Sequence, residues 1–256
     1  MLRQVLGWSA PAVALAGLYV VQLVGGLIGI VLAAFVGLVV GFAAELHGRL
    51  HPGFGVVGHR LGFTLWVLPD LLAVAVGLAL VFFQGGDPLI VRGLPLVGAI
   101  LCGLALLTQD REISEPDESG GWARLLLSLL TYVAAFVLFT LIYQTKERSL
   151  VTATSTAAVA ALLSLVLLRG TPSPRRRAVL YSGLIGLATA EVTWALNYWV
   201  VVAFVGGAVL LLLFYVLVGL VDGILTGELS RRLVIEYSGV GLLGLLLILS
   251  TGPWRP

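Results

Sequence analysis

From Leu6 to Ala44 the chain carries no charged residue across 39 consecutive positions. A segment that long without charge has no polar face to turn toward water, which excludes an ordinary soluble helix or sheet at the outset. A helix crosses the hydrocarbon core of a bilayer with about 20 apolar residues. One tilted helix does not need the length available, whereas a hairpin of two spans uses it. Glycine pairs punctuate helices, so the hairpin turning near Gly25-Gly26 is the favoured reading. A secretory signal peptide is a third reading, because Arg3 precedes the run. The run is far longer than an h-region of about 7–15 residues, which argues against it.

The rest of the chain repeats the theme. It is 59% hydrophobic and 11% charged, against about 25% charged for a soluble domain. Too little polar surface remains to cover a water-soluble globule. Residues 62–83, 88–107, 122–143, 149–168, 177–198, 201–221 and 232–250 each reach spanning length, bounded by charges, Gly/Pro turns or aromatics. The expectation is an all-α polytopic transmembrane helix bundle of eight or nine spans, with residues 1–256 as one integral membrane domain. The longest loops, about 47–61 and 108–121, leave no room for a soluble domain.

Arginine placement orients the spans. With the RGTPSPRRR loop cytoplasmic, that side collects Arg3, Arg49, Arg60, Arg111, Arg124, Arg169, Arg175, Arg176, Arg177, Arg231 and Arg232. The opposite side holds Arg92, Lys146, Arg148 and Arg255. That is eleven plus four, the fifteen basic residues of the chain. With a single N-terminal span, Arg3 changes sides; in both cases the C-terminus is non-cytoplasmic. Trp122, Tyr143, Tyr181, Tyr198, Trp199 and Trp254 fall near the expected interfaces.

Lipid gives helices no hydrophobic reason to meet, so small residues and polar contacts must bring them together. Ala33, Gly37 and Gly41 recur every four residues, and so do Ser182, Gly186 and Ala190. Ordinary packing within one bundle explains such stripes; docking of a partner subunit is the sharper alternative.

The costly residues are the acids inside spans. Glu191 lies about seven residues from the outer end of its span, roughly 10 Å deep. Trp194 and Tyr198 share its face. It is tolerable if protonated, if paired with Arg92 entering from the same side, or if it lines a wet cavity. A structural glutamate and one that handles protons or substrate both remain open. Asp70 follows Pro69, which is expected to kink its helix; it is either an ion site or a bend satisfied by a neighbour. Asp222 is expected at a helix end, and Glu236 in a local pair with Arg232. The lone cysteine, Cys102, sits in an apolar run and reads as a small buried residue.

The histidines cluster in ELHGRLHPGFGVVGHR. His47, His51 and His59 are weak metal candidates, because Gly48 stands where a zinc protease needs glutamate and Pro52-Gly53 stop the helix. Surface histidines are the better reading, and no metal or cofactor is expected. The acidic loop QDREISEPDESGG lacks EF-hand spacing and reads as a solvated connector. There is no nucleophile elbow, phosphate loop or dinucleotide fingerprint. Val221-Asp222-Gly223 lacks the further aspartates of head-group transferases. A net charge of +2 with no basic face gives no sign of nucleic acid. The expected surroundings are lipid and other membrane subunits.

The segments AEVTWALNYW, LLLLFYVLVGL and GELSRRLVIEY resemble an uncharacterised family of bacterial polytopic membrane proteins, a domain of unknown function, over residues 180–245. The resemblance implies a multi-span protein of a bacterial cytoplasmic membrane and transfers no activity. Two functions follow from the residues: a non-catalytic accessory, scaffold or assembly subunit, and a proton-coupled or small-solute transporter using Glu191, Asp70 and Arg92. An unrecognised intramembrane enzyme is a third.

Overall fold

A computed structural model of the chain describes residues 2–55, 64–114, 121–145, 149–199 and 201–251. Among these residues it is all-helical, with no strand. The helices are α1 (Leu2–Val24), α2 (Gly26–Arg49), α3 (Val67–Phe82), α4 (Pro88–Ser114), α5 (Trp122–Gln144), α6 (Ser149–Leu168), α7 (Arg175–Asn197), α8 (Ala203–Thr226) and α9 (Arg231–Thr251). Seven of them are long and apolar enough to cross a bilayer: α1, α2 and α4 through α8. At 16 residues α3 is apolar but shorter. His59, Arg60, Lys146, Arg148, Trp254 and Arg255 lie outside the described residues.

The chain divides into two compact units, residues 1–134 and 135–256, with α5 running through the division. In the first unit α1 and α2 form the hairpin the sequence favours. Gly25 and Gly26 adopt φ of 62° and 55°, backbone that residues with a Cβ rarely take. The Gln84 side chain covers the turn: its amide lies where a Gly25 Cβ would be, and Nε2 donates to the Gln22 carbonyl at 3.4 Å.

Pro69 does not kink a helix. The chain enters through turns at 64–66, and α3 begins at Val67, so Pro69 stands in its first turn, where a missing N–H is tolerated. The carbonyl four residues earlier, on Leu65, still lacks its usual donor. Gln109 on α4 supplies one, Nε2 to O at 2.8 Å.

In the second unit α6 and α7 pack along faces of small and hydroxylic residues. Thr152, Thr156, Ser164, Thr189 and Thr193 are all buried. Their hydroxyls donate to backbone carbonyls three or four residues earlier in their own helices, as Thr156 does to Thr152 at 2.8 Å. That internal bonding satisfies each hydroxyl in an apolar surround. Asn197 Nδ2 then bonds Thr152 Oγ1 across the pair at 2.8 Å. Tyr143, expected at an interface, is instead buried; its hydroxyl donates to the carbonyls of Leu196, at 2.9 Å, and Trp199, at 3.2 Å, where α7 ends. Phe139 of α5 meets Phe214 of α8 edge-on at 5.8 Å. Tyr237 of α9 lies over Gly219 of α8.

Helix ends also differ from the sequence reading. α8 runs to Thr226, one turn past Asp222, and closes on Gly227 at φ 77°. α4 runs to Ser114, so the first part of the acidic stretch is helix and not loop.

Candidate functional site

Asp70 is the most enclosed acid among the described residues, 6% exposed. The stripe of α2 makes that enclosure. A Cβ added to Gly37 would lie 2.6 Å from Asp70 Oδ1 and 3.0 Å from its backbone oxygen. One added to Gly41 would lie 2.9 Å from Asp70 Cβ and 3.0 Å from the Trp66 carbonyl. One turn the other way, Ala33 abuts Gly77. The three small residues therefore let the backbone of α2 lie directly on α3, with the carboxyl in the seam. Oδ1 is buried and has no hydrogen-bond partner among the described residues. From the opposite side, Cys102 on α4 directs its thiol at the Pro69 carbonyl, 3.6 Å away, and not at the acid.

Glu191 is placed quite differently. Buried positions on α7 are Ala178, Ser182, Ile185, Gly186, Thr189, Thr193 and Leu196. Glu191 is two residues from Thr193, roughly 200° round the helix, and is exposed. Gly186 lies in the seam: its Cβ would lie 2.6 Å from the Ala157 carbonyl on α6. Ser182 is buried beside it, and Ala190 sits at the edge. There an open groove of about 310 Å³ runs between the two helices, with Ser149, Leu150 and Ala153 on one wall and Leu187, Ala190 and Trp194 on the other. Glu191 stands in this groove, and its lining is otherwise almost wholly apolar. Arg92 is exposed one turn into α4, in the first unit. Asp70 and Arg92 thus belong to one unit and Glu191 to the other.

The histidines have partners of their own. His47, 6% exposed, directs Nε2 at both carboxylate oxygens of Asp110, at 3.0 and 3.1 Å. His51 Nε2 meets Ser114 Oγ at 3.1 Å, while its Nδ1 accepts from the Gly53 N–H at 3.0 Å. Glu45 pairs with Arg49 one turn on, at 2.8 Å. His47 and His51 therefore tie the end of α2 to the end of α4. No set of three His, Cys, Asp or Glu capable of holding a metal occurs among the described residues.

Three of these contacts escaped the sequence reading. Gln109 was legible in principle, because Pro69 leaves a carbonyl that requires a donor from elsewhere. Asp110 stands in an acidic stretch that reads as loop, which hides its spacing of one turn from Ser114. The Thr ladder of α6 and α7 has helical spacing, but so does any buried face.

Residues 9–251 match a family model described as protein of unknown function (DUF5656), and the chain belongs to that family. The match covers nearly the whole chain, well beyond residues 180–245. No curated protein matches the chain. No solved structure matches it either.

Proposed function

We propose that this member of the family is a multi-pass protein of a bacterial cytoplasmic membrane, with its C-terminus on the non-cytoplasmic side, acting as a non-catalytic subunit. Its second unit receives a transmembrane helix of a partner in the groove between α6 and α7. A basic or hydrogen-bond-donating side chain of that helix meets Glu191.

The observation that carries this reading is the exposure of Glu191 on the groove side of α7. A carboxylate facing hydrocarbon is costly, and a partner that brings a donor removes that cost. Small residues at 149, 153 and 190 let a second backbone approach, as helix pairs in lipid require. Trp194, 55% exposed, offers a large flat surface beside the acid.

Cross-linking from the groove tests the proposal. A photoreactive residue at Ala153 or Leu187, in the full chain in its native membrane, is expected to capture one apolar segment bearing a basic residue. Glu191→Leu is expected to abolish the capture while the protein still accumulates and purifies normally. An unchanged cross-link in Glu191→Leu defeats the reading.

A transport reading draws on Asp70 and its Oδ1, unpartnered among the described residues. It requires coupled uptake in proteoliposomes that is lost in Asp70→Asn and in Glu191→Gln, with folding intact. Flux equal to the parent in both variants removes it.

A further inference from the structure

We propose that Asp70 is a reversible proton-binding site, built by closing the α2 seam over a carboxyl whose buried Oδ1 has no hydrogen-bond partner among the described residues. This stands apart from the Glu191 groove and does not depend on it.

A carboxylate buried as an anion needs a cation or several donors. The described side chains of α1 through α4 offer few cations, and each is committed or remote. Arg49 holds Glu45 at 2.8 Å. His47 holds Asp110, and His51 meets Ser114. Arg111 lies over the Trp122 ring, 5.6 Å from its centre. Arg92 is exposed near the opposite end of α4, ten residues from Cys102.

The titratable groups on the packed elements are as few. On α2 the nearest acid is Glu45, one turn past Gly41 and paired. On α4 it is Cys102, whose thiol is turned to the Pro69 carbonyl. On α1 the described titratable side chain is Tyr19, 43% exposed. Nothing in that set holds Asp70 as an anion, so the neutral acid is the form the seam accommodates. Among the described residues the seam suits a proton and not a metal ion. Glycine backbone lies against both Oδ1 and Cβ, and a metal ion needs several oxygen ligands gathered round it. Asp70 is the fourth residue of α3, one turn from its start, and keeps 6% exposure.

Dicyclohexylcarbodiimide reads this state directly. It reacts with protonated carboxyls in apolar surroundings: the acid proton moves to a carbodiimide nitrogen, the carboxyl oxygen bonds to the central carbon, and the adduct rearranges to a stable N-acylurea. Full-length protein in lipid nanodiscs, labelled across a pH series and mapped by peptide mass spectrometry, is expected to carry the adduct on Asp70. Labelling should be several-fold greater in acidic than in alkaline buffer and equal in sodium and choline salts. D70N is expected to lose the adduct together with the carboxylic C=O infrared band. If D70N does not fold, the pH series on the parent protein still decides. Protection by sodium, labelling that ignores pH, or no adduct on Asp70 while Glu191 reacts each overturn the proposal.

Discussion

In the first unit the small residues of α2 close onto an acid carried by the neighbouring helix. In the second, the small residues of α7 close onto α6, and the acid of α7 itself is left outside. Both stripes have the same four-residue spacing, and both lie beside one carboxylate in an apolar run. The difference is angular. Asp70 projects from α3 into the line of Gly37 and Gly41. Glu191 follows Ala190 directly, roughly 100° off the stripe of its own helix. The comparison teaches that a glycine stripe marks where a backbone will approach, and that the register of the acid decides whether the charge is enclosed or offered outward.

The strongest way to break this comparison is to fill the first seam. Gly37→Leu puts a branched side chain where Asp70 Oδ1 and Val74 already stand, and the stiff backbones on both sides leave no relief. A loss of about 3 kcal/mol is expected, at the upper end for overpacking, read as a lower detergent-unfolding midpoint. A midpoint like that of the parent means α2 does not lie on α3.

Next comes the carbonyl freed by Pro69. Gln109→Leu leaves the Leu65 oxygen buried without its donor, which costs about 2 kcal/mol. Hydrogen exchange at the start of α3 should quicken in this variant and stay unchanged along α6.

A smaller effect tests the second seam. Asn197→Ala removes the bond to Thr152 Oγ1 and is expected to cost about 1 kcal/mol or less, in line with bonds between helices in lipid. A double-mutant cycle with Thr152→Val isolates the pair; zero coupling removes the bond from the account.

The smallest effect belongs to Glu191. Since its side chain lies outside the α6–α7 seam, Glu191→Gln should leave the unfolding midpoint of the isolated protein where it was. A clear drop would place the acid inside the packing and erase the contrast with Asp70.

Much of this was legible in the sequence. Apolar length locates each helix within a few residues, because hydrocarbon and backbone hydrogen bonding together leave a helix as the way through. The glycine pair locates the turn between α1 and α2. The candidate acids are legible from cost alone. What stayed hidden is pairwise. That Gly37 faces Asp70, that Gln109 reaches Leu65 and that His47 reaches Asp110 depend on the rotation of one helix against another, and local spacing does not carry that rotation. α4 also continued past the apolar run that announced it, since charged residues extend a helix into water as readily as they end it. Arg232 and Glu236, four apart and both exposed on α9, form no ion pair among the described contacts; an exposed pair gains little from closing.

The shortness of α3 has a consequence for where it can sit. Sixteen residues rise about 24 Å, against a hydrocarbon core of about 30 Å. Twelve of those sixteen residues are buried among their neighbours. With the first unit embedded as proposed, the chain that completes the crossing is tolerated because protein, and not lipid, covers it.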